Sequence, residues 1–94
     1  MTPQDLARAA EITNVARPGF VRQAIRDVSA ATGVSVEDLL GRGRRREITQ
    51  ARQLAMFIAR EKGVAYSVIA RVFGRDHTTI IHGVRAEAAR RAAE

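Results

Sequence analysis

Apolar positions recur every three or four residues along most of this chain, and almost nowhere do they alternate with polar ones. Between Gly19 and Thr32 the apolar set is Phe20, Val21, Ala24, Ile25, Val28 and Ala31, a stripe down one side of a helix. Gly33 is the expected stop. Ser35-Val36-Glu37-Asp38 reads as a capping-box start for a short helix that ends at Gly41. Thr49 is placed to cap a helix over about 50–62, with Ala51, Leu54, Ala55 and Ile58 inward and Met56 and Phe57 in or beside the core. Gly63 ends it. A short helix from Tyr66 to Phe73 follows, carrying Val68, Ile69 and Val72, and Gly74 makes the turn. Asp76 then caps a last helix from His77 to near Ala92, for which the pattern predicts Ile81, Val84 and Ala88 inward. Upstream, Thr2-Pro3-Gln4-Asp5 opens a weakly amphipathic helix that reaches about Ala16, before Pro18. The prediction is an all-α fold, a small helical domain with an extra N-terminal helix.

One stretch breaks the periodicity. Residues 41–47, "GRGRRRE", hold two glycines and four arginines with no apolar residue. They have nothing to bury, and the glycines allow the backbone close to another surface.

Ninety-four residues make one domain core at most. The absence of cysteine excludes disulfides and thiolate-zinc sites. No apolar run approaches the ~20 residues that cross a bilayer, and the N-terminus lacks the order of a signal peptide. The expected location is cytoplasmic, with no membrane partner. Charge is divided unevenly. Residues 1–40 carry four arginines and five acids, whereas 41–94 carry twelve basic residues and five acids. A near-neutral part joined to a strongly basic one points to a polyanion-binding face.

The candidate chemistry lies in "FGRDHTTIIHG", residues 73–83. Five polar residues, Arg75-Asp76-His77-Thr78-Thr79, follow the glycine turn before the chain becomes apolar at Ile80-Ile81. Such a run fits a helix cap, a metal or catalytic site, or the leading edge of a helix that reads DNA. His77 and His82 are five apart and lie on different helical faces, and no cysteine or carboxylate cluster joins them, so no metal is expected. No nucleophile has a base partner, so catalytic residues, cofactors and a small-molecule substrate are not expected either. Helix, glycine turn and helix with a polar first turn is the arrangement of a DNA-binding helix-turn-helix.

At these residues a family becomes recognisable. "ARQLAMFIARE" (51–61) followed by "FGRDHTTIIHG" (73–83) resembles the C-terminal DNA-binding domain of the bacterial replication initiator DnaA, over about residues 19–90. The order of elements is similar too, with "VEDLL" and a basic loop ahead of the "ARQ" helix. The resemblance implies an N-terminal extension over 1–18, a DNA-binding domain over 19–94, and recognition of a short A·T-containing box in double-stranded DNA. It assigns Asp76, His77 and Thr78 to bases in the major groove, Ser67 to a neighbouring base, and Arg44 to the minor groove within the loop 42–46. It assigns Arg52, Gln53, Arg60, Arg75 and Thr79 to phosphates; Arg42, Arg45 and Arg46 read as phosphate contacts from their place in the basic loop, and His82 as either a phosphate contact or a plain surface residue. The chemistry agrees: a carboxylate accepts from cytosine, Thr and His carbons suit thymine methyls, and a narrow A·T minor groove attracts Arg.

Two departures bear on how the last helix is angled. Only Gly74 precedes Arg75, where many relatives have two glycines, and "AYSVIARVF" lacks the family's Ser-Leu-Pro start. A third concerns the motor. The chain has no G-x-x-x-x-G-K-[ST] loop, so the expected function is sequence-specific DNA binding in transcription regulation without ATPase activity. The alternatives are a replication-control factor competing at initiator boxes, or an adaptor whose N-terminal helix recruits RNA polymerase or a replication partner.

Overall fold

A computed structural model describes residues 17–94. The helix expected over 3–16, and any separate role for it, lie outside the described residues. Those described form five helices and no strand: α1 Pro18–Thr32, α2 Val36–Leu40, α3 Arg46–Glu61, α4 Tyr66–Phe73 and α5 His77–Ala93. The all-α expectation is met.

Local chemistry accounts for most of the boundaries. Pro18 stands in the first turn of α1, where its missing N–H costs nothing, and Gly33 closes the helix in the left-handed region with its N–H on the Ser29 carbonyl. Ser35 Oγ accepts from the Asp38 N–H at 3.0 Å and starts α2 as the sequence predicts. Gly74 has φ 64°. Its N–H bonds to Arg71 O while that of Arg75 bonds to Ala70 O at 3.0 Å, the paired closure that satisfies the last carbonyls of α4.

Helix α3 is the hub, packing against each of the other four. Its Ala51, Ala55, Met56 and Ala59 meet Val21, Ile25 and Val28 of α1, Leu39 of α2, Ile69 and Phe73 of α4, and Ile80 of α5 in one core. The alanines let the neighbouring helices come close. Gly83 does so more severely, since a Cβ there would stand 2.6 Å from Met56 Sδ and 3.4 Å from Gln53 Cγ.

Three expectations are corrected. Helix α3 begins at Arg46, after Arg45, and not after Thr49. Arg46 and Glu47 are exposed on its first turn while Ile48 is buried, so the start of an amphipathic helix had the look of a polar loop. The loop is correspondingly short, from Gly41 to Arg45. The inward face of α5 is Ile80, Gly83 and Val84; Ile81 is half-buried and Ala88 exposed. A glycine contact carries no hydrophobic signal, so the periodicity was phased one residue late. On α1, Phe20 and Ala31 face solvent beside the buried stripe.

Candidate nucleic-acid interface

The turn of Gly74, Arg75 and Asp76 delivers the start of α5 to the surface. Asp76, His77, Thr78 and Thr79 are all exposed, and Ile80 is fully buried directly after them. The polar run is therefore a ledge above the core, held by the residue that follows it. Asp76 occupies the N-cap position with extended backbone, but its carboxylate makes no capping hydrogen bond. The expectation of a capping Asp76 is corrected here: the carboxylate is left facing outward.

Beside this ledge the angle between α4 and α5 forms an open cleft of about 620 Å³ lined by Ser67 and Arg71 from α4, by Arg75, Asp76, His77 and Thr79, and by Arg42 from the loop. Five of the residues predicted to touch DNA on α4, the turn and α5 thus share one concavity, and the loop adds a sixth. Thr78 is exposed beside it but does not line it. Arg71 was missed. Its signal was its place four residues ahead of Arg75, across the glycine turn.

Arg52 and Arg75 build the basic loop from beneath. Arg52 is 5% exposed. Its Nε donates to Leu39 O at 2.9 Å, Nη2 to Asp38 O at 3.0 Å and Nη1 to Gly43 O at 3.2 Å. Arg75 Nη2 donates to Gly41 O at 2.8 Å. Burial lowers the pKa of the Arg52 guanidinium from its ordinary value; Arg75 lowers it further, and Asp38 opposes the shift. The buried guanidinium, with donors on three carbonyls, braces the end of α2 and the loop against α3. A second cavity of about 250 Å³ opens above it, with Arg42, Arg44 and Arg75 on its walls.

The remaining candidates are dispersed. Arg45 is exposed and pairs with Glu47 at 2.8 Å, and Arg46 lies exposed beside them. His82 is exposed on the next turn of α5. Gln53 is half-buried, its stem under Gly83. Arg60 stacks on the Tyr66 ring, 4.2 Å from its centroid, and donates from Nη1 to Val64 O at 3.1 Å. Neither Gln53 nor Arg60 lines either cavity. Among the described residues no group of three His, Asp or Glu side chains gathers to hold a metal, and no helix is long and apolar enough to cross a membrane.

This geometry has sequence counterparts. Residues 21–86 match the family described as the bacterial DnaA protein helix-turn-helix. The chain is similar to chromosomal replication initiator protein DnaA 1 of Chlamydia muridarum, at 42% identity over 84 residues, which cover 88% of this chain and 18% of that protein. Against chromosomal replication initiator protein DnaA of Picosynechococcus the identity is 39% over 84 residues, 87% of this chain and 19% of the relative. With its counterpart from Thermomicrobium roseum it rises to 53% over a shorter span of 53 residues, 54% of this chain and 11% of the relative. The chain thus spans less than a fifth of the length of these relatives. No solved structure matches it.

Proposed function

The chain belongs to the bacterial DnaA helix-turn-helix family, and we propose that it binds double-stranded DNA at a specific box through the ledge and loop described above. The observation that carries this reading is the single cleft in which Ser67, Arg75, Asp76, His77 and Thr79 meet Arg42 of the loop. Helix α5 enters the major groove by its N-terminal turn, where Asp76, His77 and Thr78 reach base edges and Ser67 flanks them. Arg44 enters the adjacent minor groove, where a narrow A·T segment concentrates negative potential. Arg42, Arg45, Arg46 and Arg75, with Arg60 at the margin, neutralise phosphates, and Thr79, His82 and Gln53 add hydrogen bonds to the backbone. Arg71 joins that set from the cleft wall.

Residues 19–94 act as the DNA-binding unit, with 1–18 as an extension. The 94 residues contain no phosphate-cradling loop, so DNA binding by this chain needs no nucleotide. A module of this kind acts by occupying its box, and regulation of transcription at a promoter is the role we assign. The test is selection of bound duplexes from a random pool, followed by titration of the selected box and a scrambled duplex, with and without ATP and Mg²⁺. Preference for the box that is indifferent to ATP supports the reading. Equal binding to both duplexes sinks it. Transcription from a promoter carrying the selected box then separates a regulator from a factor that competes only at replication boxes.

A further inference from the structure

We infer that Arg52 and Arg75 set the minor-groove preference of this module by fixing the basic loop against the reading helix, so that Arg52 determines specificity without touching DNA. The inference deepens the proposed function and rests on it. The loop that carries Arg44 has two glycines in its five residues, and its only ion pair among the described residues is the solvent-exposed one between Arg45 and Glu47. Exposed pairs contribute little order. Two guanidinium groups hold its middle, Arg75 donating to Gly41 O and Arg52 to Gly43 O, while Arg52 also donates to Asp38 O and Leu39 O and so ties the same loop to the end of α2.

The two arginines come from different places. Arg52 projects from α3, the hub of the core, whereas Arg75 belongs to the turn that opens α5. Gly41 is therefore tied to the start of the major-groove helix, and Gly43, next to Arg44, is tied to the core. The distance between the two DNA-reading elements is set by this brace before DNA arrives. The arrangement uses what distinguishes Arg from Lys, a planar fork with donors in several fixed directions. A lysine at 52 keeps the charge but cannot bridge Leu39, Asp38 and Gly43 together.

Arg52 is a positioning residue, and its test needs a readout that loss of stability alone does not move. We would compare wild type, Arg52→Lys, Arg75→Lys, Arg44→Ala and the Arg44→Ala/Arg52→Lys double variant. Each is titrated with boxes that differ only in an A·T or a G·C flank, at a temperature where melting shows every variant folded. In parallel, backbone ¹⁵N relaxation of residues 41–45 in the DNA-free proteins reports loop order.

Wild type is expected to prefer the A·T flank by about tenfold, the worth of one charge-assisted hydrogen bond. Arg52→Lys should reduce that ratio towards the Arg44→Ala value and loosen the loop. The double variant should discriminate no worse than Arg44→Ala alone, because one interaction has been removed twice. Arg75→Lys should act in the same direction on a residue that is only half-buried, which keeps the idea testable should Arg52→Lys fail to fold. Unchanged flank discrimination in Arg52→Lys and Arg75→Lys overturns the inference, whatever happens to total affinity. A wild type without flank preference refutes the minor-groove role of Arg44 instead, and loop relaxation then decides by itself whether the brace exists.

Discussion

Gly83 of α5 and Met56 of α3 approach so closely that a Cβ on the glycine would lie 2.6 Å from the methionine sulfur. Met56 is 2% exposed and belongs to the core cluster, so it has little room to yield. Glycine inside a helix ordinarily costs about 1 kcal/mol relative to alanine. Here that cost is the condition for seating α5 directly on the hub.

Substitution at Gly83 should accordingly be destabilising despite the better helix former. Gly83→Leu is expected to cost about 3 kcal/mol through overpacking, which lowers Tm by roughly 12–24 °C in a domain of this size. Gly83→Ala should fall between wild type and Gly83→Leu, because gained helix propensity offsets part of its smaller clash. Thermal melts followed by circular dichroism measure both. A Gly83→Leu protein as stable as wild type would mean that α5 is not seated on Met56.

Ile80 and Ile81 are adjacent, and a pair of melts separates their roles. Ile80 is 0% exposed and Ile81 half-buried. Ile80→Ala should cost about 2–5 kcal/mol, and Ile81→Ala clearly less. The reverse order would restore the phase predicted from the apolar spacing and contradict the observed packing of α5.

That phase is a fair measure of what the chain spells out. Ser35 at the start of α2, Gly33 after α1 and Gly74 in the turn were legible, whereas Thr49, read as a cap by the same logic, lies inside α3. Elements announced only by polarity were misread. Arg46 and Glu47 looked like loop because the exposed side of a helix is as polar as a loop, and only the burial of Ile48 separates the two. The ledge of Asp76, His77, Thr78 and Thr79 was legible because four consecutive polar residues have no place in a core. The brace was not. That Arg52 turns inward to backbone carbonyls depends on where α2 ends in space, and no spacing within α3 contains that information.

Salt dependence should expose how many cations meet phosphate. Arg42, Arg45, Arg46, Arg71 and Arg75 are five candidates, with Arg60 a sixth at the margin, while the buried Arg52 is excluded. For about five neutralised phosphates, log K falls with log[salt] at a slope of about −4 to −5. Removing one true phosphate contact, for instance with Arg42→Ala, should reduce the slope by about one. A slope near zero would reject the DNA interface altogether. Arg52→Lys should leave the slope unchanged, since it neither adds nor withdraws a phosphate-facing charge.

The ledge itself should separate reading from folding. His77 and Thr78 are exposed, so His77→Ala and Thr78→Ala should change stability by no more than about 0.5 kcal/mol. Each should weaken binding to the box by about 1–3 kcal/mol and relax preference at one position. Asp76 is the more informative residue. An aspartate that caps a helix loses about 1 kcal/mol on truncation, but the Asp76 carboxylate makes no capping bond, so Asp76→Ala should melt close to wild type. Its effect should fall on binding, as lost discrimination for a base pair that presents a cytosine amino group, because a carboxylate can only accept there. Asp76→Asn is the sharper variant: the amide keeps an accepting oxygen but adds donors, and should shift the preferred base where Asp76→Ala only relaxes it. Pairing each melt with titrations of the box and of its single-base variants decides the matter. If Asp76→Ala melts early and weakens all duplexes equally, the carboxylate serves the helix and the reading of sequence lies with His77 and Thr78.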